Sequence, residues 1–382
     1  MKNQFLTSYF QLIKIIFLIS SITTITMAAE ETTNELKVPN GFKVEIFLNN
    51  IIEKPRGITS DQDGNIFIGS GSTFAYFVTK TKKIYTISKT LQNPIGIAYW
   101  DNKLYISSVD KIYVVENVKE EINKSIKANK EYAWEMQIFS LLPKNDTQMH
   151  SGRYIKVDPK NNKLIVNIGS QNNAKIPHEK EAIILSIDLK TKQEDLIAFG
   201  VRNSVGFDFH PISNEMYFSD NGQDRLGDNI PPDEINLIVK YKEHFGFPYV
   251  FGRNRKNYNF YDKAPQNTIF SPSIYELPAH VAPLGIHFYR GNNFPKEYIN
   301  KLFIAEHGSW NRSSPVGYKI TTLDIDPQTR MAKNYKVFLD GFLKPDNSKF
   351  GRPVDIITYY DGSMLFSDDF GNKIYRVYYE KI

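Results

Sequence analysis

The 382-residue sequence contains no cysteine. Disulfides, thiolate metal sites, lipid attachment through cysteine and Cys-x-x-Cys-His haem attachment are therefore excluded. It also lacks a phosphate-binding loop, a His-Glu-x-x-His zinc motif and a serine nucleophile motif. The formal net charge is only +5, and no basic stripe with interleaved aromatic residues occurs. Nucleic acid is therefore not an expected partner.

Long apolar runs are scarce as well, and the one that stands out lies at the N-terminus. Lys2 and Lys14 precede the segment "IIFLISSITTITMAAE". This pattern is typical of a signal peptide over residues 1–29, cleaved after Ala28 or Ala29. A membrane anchor is the alternative, although a span needs roughly 20 clean apolar residues. We expect a periplasmic or secreted mature protein with no stable membrane span after cleavage.

Aromatic and turn-forming residues are abundant, with 23 Tyr, 26 Phe, 19 Pro and 22 Gly. This composition favours many short strands over long helices. One phrase recurs: an apolar strand, a polar turn, and a second apolar strand that ends in a small or acidic residue, as in "RGITSDQDGNIFIGS". Its six copies begin at Arg56, Ile95, Gly152, Val205, Leu284 and Pro353.

Each copy predicts a β-hairpin, because its turn residues accept the positive φ of tight turns. Several copies continue into a further strand, and six units over about 330 residues give about 55 residues each, the period of a propeller blade. We therefore predict an all-β fold, a six-bladed β-propeller in one domain over residues 36–382. Two β-sandwiches are the alternative, but no linker composition separates the halves.

The loops at one end of a propeller converge on its central channel, so polar residues beside the repeated hairpins should share a cavity. Seven such residues carry chemistry: His150, Arg202, Asn203, His280, His307, Arg312 and Arg352. Three guanidinium groups at one mouth repel each other unless an anion neutralises them. A multiply carboxylated ligand is the simplest explanation. For His150 alone, a surface position is the alternative.

An acidic, glycine-containing loop follows the fourth copy and consists of Asn221, Gly222, Gln223, Asp224 and Asp228. Carbonyl and carboxylate oxygens in such a loop suit a hard cation, most plausibly calcium. An Asx turn that caps itself is the alternative. Trp310 is either part of the cavity wall or a packing residue beneath the loop. His287 is predicted to be a histidine packed in the core.

Together, "GVRNSVGFDFHP", "FSDNGQDRLGDNIPPDEIN", "FIAEHGSWNRSSPVGYK" and "GRPVDI" resemble the soluble glucose/sorbosone dehydrogenases, in particular the sorbosone-like branch. The resemblance covers the chain from about Val38 to its C-terminus. It implies a six-bladed propeller that binds pyrroloquinoline quinone and calcium, and a dehydrogenase that oxidises an aldose, a sorbosone-like aldehyde or a related sugar alcohol. Without a haem motif, electrons would leave to a separate acceptor, a cytochrome or a quinone.

The resemblance also implies residue roles. His150 corresponds to the general base, and Arg202 with Asn203 to the pair that contacts quinone and substrate. Gly222 and Gln223 fall where backbone carbonyls bind calcium. The remaining cofactor contacts would come from His280, His307, Arg312 and Arg352.

Two departures from the pattern of the glucose-oxidising members leave the identity of the substrate open. His307 stands where the glucose-oxidising members have lysine, and Val354 stands where they have a second arginine, for which Arg312 would compensate. Two other functions remain open. A calcium-dependent propeller lactonase would need Glu, Asn and Asp side chains around its metal, and an exported binding module would have lost its cofactor altogether.

Overall fold

The computed structural model describes residues 33–49, 52–128 and 133–380. The predicted signal peptide, residues 1–29, lies outside these ranges. Within them the chain forms six large sheets, each built on four antiparallel strands, and one small two-stranded sheet. The predicted all-β six-bladed propeller is confirmed.

The first three blades follow the chain in order. Blade 1 is β2 (Pro55–Ser60), β3 (Ile66–Ser70), β4 (Ala75–Val78) and β5 (Ile84–Ser88). Blade 2 is β6 (Ile97–Trp100), β7 (Lys103–Ser107), β8 (Lys111–Val115) and β9 (Gln137–Leu141). Blade 3 is β10 (Ile155–Asp158), β11 (Lys163–Ile168), β12 (Ile183–Asp188) and β13 (Glu194–Phe199). The strand before them, β1 (Phe42–Asn49), belongs to blade 6.

Blade 4 is β14 (Phe207–Phe209), β15 (Met216–Asp220), β16 (Asp233–Ile238) and β20 (Tyr275–Leu277). Between β16 and β20 lie β17 (Glu243–His244), which extends blade 3, and a small hairpin of β18 (Val250–Phe251) and β19 (Arg255–Lys256). Blade 5 is β21 (Pro283–Phe288), β22 (Leu302–Glu306), β23 (Lys319–Ile325) and β24 (Ala332–Leu339). Blade 6 is β25 (Pro353–Thr358), β26 (Met364–Asp368) and β27 (Lys373–Tyr379), with β1 as its outer strand.

The ring closes through that outer strand, because β1 pairs antiparallel with β27 from Phe42–Tyr379 to Asn49–Lys373. The innermost strands of successive blades are neighbours all the way round, and β25 meets β2. They all run in the same direction along the channel. We call the end where they begin the upper end and the end where they finish the lower end.

The outer strand of each blade is the part that the repeated phrase did not indicate. In β24, for example, only Phe338 and Leu339 are buried, so its sequence lacks the apolar alternation of the inner strands. The helix α1 (Val118–Ala128), after β8, was not predicted either. Two short 3₁₀ helices, Tyr261–Lys263 and Lys296–Tyr298, complete the elements. None of the helices in the described ranges is long and apolar enough to cross a membrane.

Serines at the ends of three repeats join neighbouring blades. Ser107 donates to the carbonyl of Arg153 at 2.6 Å, and Ser367 donates to the carbonyl of Arg56 at 2.5 Å. Ser219 of blade 4 donates to the carbonyl of Leu284 in blade 5 at 2.8 Å. Buried hydroxyls with a carbonyl partner are satisfied donors that hold one backbone against the next. These contacts fix the strand entrances at the upper end, where the candidate site lies.

Candidate functional site

A cavity of about 220 Å³ opens at the upper end of the channel. Its wall comes from blades 3, 4, 5 and 6 and includes most of the residues that the repeats predicted to converge there. These are His150, Arg202, Asn203, Gly222, His280, His307 and Arg352. Gln223 and Arg312 are not on this wall. The cavity thus brings together six of the seven residues predicted to share it, together with Gly222 of the predicted calcium loop.

His150 has a defined tautomer. Its Nδ1 lies 2.6 Å from the carbonyl oxygen of Ser170, which can only accept, so Nδ1 carries the proton and Nε2 has a free lone pair. Burial, together with the positive charge of Arg202, lowers the pKa of His150 to about 3. The imidazole is therefore neutral at pH 7, which is the form that a base requires.

The backbone around His150 is held in an unusual conformation. His150 has φ +50°, in the left-handed region that costs energy for residues other than glycine. Arg153, which is 1% exposed, donates to the His150 carbonyl at 3.0 Å. A Cβ on Gly169 would come within 2.7 Å of the His150 Cβ, so only glycine leaves room for the imidazole there. Arg153 and Gly169 thus position the candidate base.

The Arg202 guanidinium is buried and already has most of its donors occupied. It donates to Asn173 through Nε at 3.0 Å and NH2 at 2.9 Å, and to the Asn221 carbonyl at 3.0 Å. NH2 also pairs with Asp224 Oδ2 at 3.2 Å. Of its five N–H groups, one therefore remains for a ligand. Arg202 is as much an organiser of the neighbouring loops as a ligand contact.

Asn203 is oriented through its backbone. The buried carboxylate of Asp220 accepts from the amides of Arg202 at 2.9 Å and Asn203 at 2.6 Å. The Asn221 side chain donates to the Asn203 carbonyl at 2.8 Å. No donor or acceptor among the described residues engages the Asn203 side-chain amide, which remains available to a ligand in the cavity.

The loop after β15 contains Gly222 and Gln223, the predicted ligands of calcium. Among the described residues no donor reaches the carbonyl oxygens of Gly222 and Gln223. The Gly222 amide donates to Asp233 at 2.7 Å, and the Gln223 Oε1 accepts from Asn257 at 3.0 Å, which fixes the loop. Two free carbonyls on a fixed loop fit a hard cation such as calcium. No cluster of three or more His, Asp or Glu in the described ranges could hold a metal, so such a cation would depend on these carbonyls and on oxygens of a ligand.

His280 and Arg312 lie on the same side of the site but differ in access to it. His280 lines the cavity and its Nε2 lies 2.8 Å from the Gly227 carbonyl. Arg312 NH1 donates to the carbonyl of Asp228 at 2.6 Å, and its Nε donates to Ser314. The prediction that Arg312 contacts the cofactor is thus not supported by its placement. The structure gives it the role of joining the Asp228 loop to the loop after β22.

His307 and Arg352 form the blade 5 and blade 6 side of the wall. Nε2 of His307 lies 2.8 Å from Asp369 Oδ1, and Arg56 NH1 lies 2.6 Å from the other carboxylate oxygen. Burial, despite the Asp369 charge, lowers the pKa of His307 to about 4. Arg352 donates to the carbonyls of His307 at 3.0 Å and Gly308 at 2.7 Å, and its NH1 has no hydrogen-bond partner in the part of the chain that the structure describes.

Several residues of the site were not identified from the sequence. Asp220, Asp233 and Asp369 are strand-end carboxylates that looked like turn residues. Arg56 has a signal in the sequence: "KPR" at the start of β2 and "RPV" at the start of β25 align in the repeats, so Arg56 occupies the position of Val354 in its own blade. Trp310, for which the sequence allows either a cavity wall or packing, lines the cavity and is 68% exposed, which makes it a wall at the mouth.

In the cavity wall and next to it, burial sets the ionisation of three neighbouring carboxyl groups. It raises the pKa of Glu234 to about 8, of Asp220 to about 7 and of Asp233 to about 6, because each is removed from water; a neighbouring carboxylate adds to the rise for Glu234 and Asp220. In the unfolded chain these groups ionise near pH 4. The folded state therefore binds more protons than the unfolded state up to about pH 8.

From this difference we predict that the free energy of unfolding decreases as pH rises from 7.5 to 9. In this range unfolded histidines are largely neutral already, so Glu234 dominates the change. Glu234→Gln should flatten the dependence, whereas Glu179→Gln, in an exposed loop, should leave it unchanged. Urea unfolding at several pH values measures this, and equal slopes for wild type and Glu234→Gln would contradict it.

Comparison with known proteins supplies the family and its relatives. The model of the TrAA12-like family matches residues 36–254 and 241–380. An uncharacterized protein of Borreliella burgdorferi is 85% identical over 382 residues, which cover 100% of both chains. The pyrroloquinoline quinone-dependent pyranose dehydrogenase of Coprinopsis cinerea is 23% identical over 91% of this chain. The alignment covers 55% of that relative, so the chain corresponds to about half of its length.

Solved structures share the fold. The calcium structure of the Trichoderma reesei carbohydrate-active enzyme of family AA12 superposes with a TM-score of 0.71 at 18% identity, over 90% of this chain and 96% of that one. The holo form of the Coprinopsis cinerea pyranose dehydrogenase PQQ domain gives 0.69 at 21% identity, over 90% and 97%.

Proposed function

The chain belongs to the TrAA12-like family, and from this premise we propose that it is a pyrroloquinoline quinone-dependent oxidoreductase acting on a sugar. The resemblance to quinoprotein sugar dehydrogenases is confirmed at family level, while the sorbosone-like branch stays a prediction. One observation carries the proposal: a single cavity brings together a neutral imidazole with a free Nε2 and the side chains of Arg202, Arg352 and His307.

The residues present fit an anionic quinone. Arg352 has an unused NH1 and Arg202 one unused N–H, and the Asn203 amide is free. Arg56 adds a positive charge beside His307 and Arg352, although its pairing with Asp369 partly neutralises it. Guanidinium groups match the geometry of carboxylates, so these side chains would hold the acidic edge of the cofactor. When bound, the quinone would supply the two-electron oxidising capacity that no side chain has.

His150 would act on the sugar. Its Nε2 would accept the proton of the hydroxyl that is oxidised, while the Ser170 carbonyl holds Nδ1–H and stabilises the imidazolium that forms. The low pKa of His150 makes it a weak base in the empty cavity. An anionic ligand beside Arg202 would offset the positive charge that contributes to this shift, and would thereby raise that pKa.

We further propose that calcium binds at the carbonyls of Gly222 and Gln223, where it would act as a Lewis acid towards a bound oxygen. Electrons would leave to a separate acceptor, a cytochrome or a quinone, and the mature protein would be periplasmic or secreted. The lactonase alternative is disfavoured, because the cavity wall carries a set of basic side chains, namely His150, Arg202, His280, His307 and Arg352. A binding module without catalysis remains the second candidate, since fold alone does not establish activity.

Reconstitution tests the proposal. The purified protein is incubated with pyrroloquinoline quinone and calcium, and dye reduction is measured with a panel of aldoses, sugar alcohols and sugar aldehydes. We expect calcium-dependent cofactor binding by fluorescence titration and turnover of at least one sugar. Binding without turnover would favour the binding module, and absence of both would refute the proposed cofactor.

A further inference from the structure

The lower end of the channel has a cavity of its own, of about 610 Å³. It is formed where the inner strands of blades 1, 3, 4, 5 and 6 finish. In the channel between the two cavities, the buried Tyr154 hydroxyl donates to Asp355 at 3.1 Å. None of the residues that line the upper cavity lines the lower one. The lower cavity is thus separate from the candidate active site.

A buried carboxylate with two cations lies in its wall. Asp208, which is 1% exposed, accepts from Lys156 Nζ at 2.9 Å, from Arg290 NH1 at 2.8 Å and from the Phe288 amide at 2.7 Å. Burial opposes the anion, but the charges of Arg290 and Lys156 hold the pKa of Asp208 well below its usual value. These contacts join blades 3, 4 and 5. One cation would suffice to neutralise Asp208, so the second leaves the wall with one net positive charge.

The Lys156 ammonium has N–H donors that no protein group uses among the described residues. Lys156 is an ammonium with three N–H groups, and Asp208 is its only hydrogen-bonding or ion-pair partner among the described residues. Its side chain is 24% exposed. A smaller cavity of about 180 Å³ shares Lys156 and adds the half-buried rings of Tyr99 and Trp100. Lys156 therefore stands where the two spaces meet, with donors for an anion.

The rest of the wall is neutral and rich in hydrogen-bonding groups. The two histidines, His210 and His287, are uncharged at pH 7, because burial lowers the pKa of each. Hydroxyl and amide side chains that line the cavity are Thr59, Ser60, Asn214, Asn300 and Thr358. A single positive charge, a roomy space and several neutral polar groups suit a ligand with one acidic group and several hydroxyls.

We propose that the lower cavity binds a small polyhydroxylated carboxylate, of the chemical class of the sugar acids, with its carboxylate on Lys156. The neutral polar side chains would receive its hydroxyls. The competing explanation is that the ion network only joins the blades, in which case Lys156 has no ligand. A binding measurement separates the two.

Isothermal titration of the full chain with sodium gluconate tests this proposal. We expect saturable binding by wild type, none of comparable strength with glucose or sodium acetate, and no competition from pyrroloquinoline quinone. Lys156→Met should weaken the gluconate Kd about 10-fold or more, since a charge-assisted contact is lost. Lys160→Met, an exposed lysine in the turn after β10, should bind like wild type.

Equal gluconate binding by Lys156→Met and Lys160→Met would overturn the proposal, as would no saturable binding by wild type. If Lys156→Met does not fold, salt dependence of the wild type decides. Binding through this charge must weaken between about 20 and 500 mM sodium chloride. Salt-independent binding would also overturn it.

Discussion

Replacing His150 by alanine should lower kcat of the reconstituted protein by about 10²–10⁴-fold, the usual contribution of a positioned general base. The imidazole has one ring nitrogen committed to the Ser170 carbonyl and the other free in the cavity. Cofactor affinity should change little, because the cations of the site, Arg202 and Arg352, remain.

The matched control is His178→Ala, since His178 lies in the loop between β11 and β12, is exposed and does not line the cavity. It should retain the wild-type kcat. Quinone titration by fluorescence provides the second measurement. A loss of cofactor binding in His150→Ala, with normal turnover at saturating quinone, would mean that His150 is a cofactor contact and not a base.

Site residues next to a repeated hairpin were predicted from the sequence better than site residues further into a loop. His150, Arg202 and Arg352 stand at fixed offsets from a repeated hairpin, so the symmetry of the propeller placed them at the upper end. Arg312 lies several residues into a loop, where no repeat fixes the direction of the side chain. Its guanidinium turned out to bind the carbonyl of Asp228.

The partners in ion pairs were the hardest site residues to predict from the sequence. Asp369 follows the last residue of β26 and resembles any turn aspartate, yet it joins His307 to Arg56 across two blade interfaces. Such contacts depend on side chains from different blades meeting at one distance, which no local pattern encodes. The outer strands escaped prediction for a different reason, because one exposed face and few neighbours leave their composition unconstrained.

The largest effect on stability is expected from Arg202→Met. Arg202 is 4% exposed and its guanidinium binds Asn173, the Asn221 carbonyl and Asp224, so removal leaves the half-buried Asp224 carboxylate and several acceptors without their donor. Breaking a buried charge pair from one side costs about 3–5 kcal/mol. Urea unfolding at pH 7 should show a free energy of unfolding lower by that amount.

Arg312→Met is the matched control, because it removes the same group from a partly exposed loop where the acceptors can turn to water. We expect a loss of about 1 kcal/mol or less there. Reconstitution distinguishes stability from function: Arg202→Met should bind pyrroloquinoline quinone more weakly than Arg312→Met even where both are folded, since only Arg202 lines the cavity. Indistinguishable stability and affinity in the two variants would refute the assignment of Arg202 as the residue that holds the loops of blades 3 and 4 around the ligand.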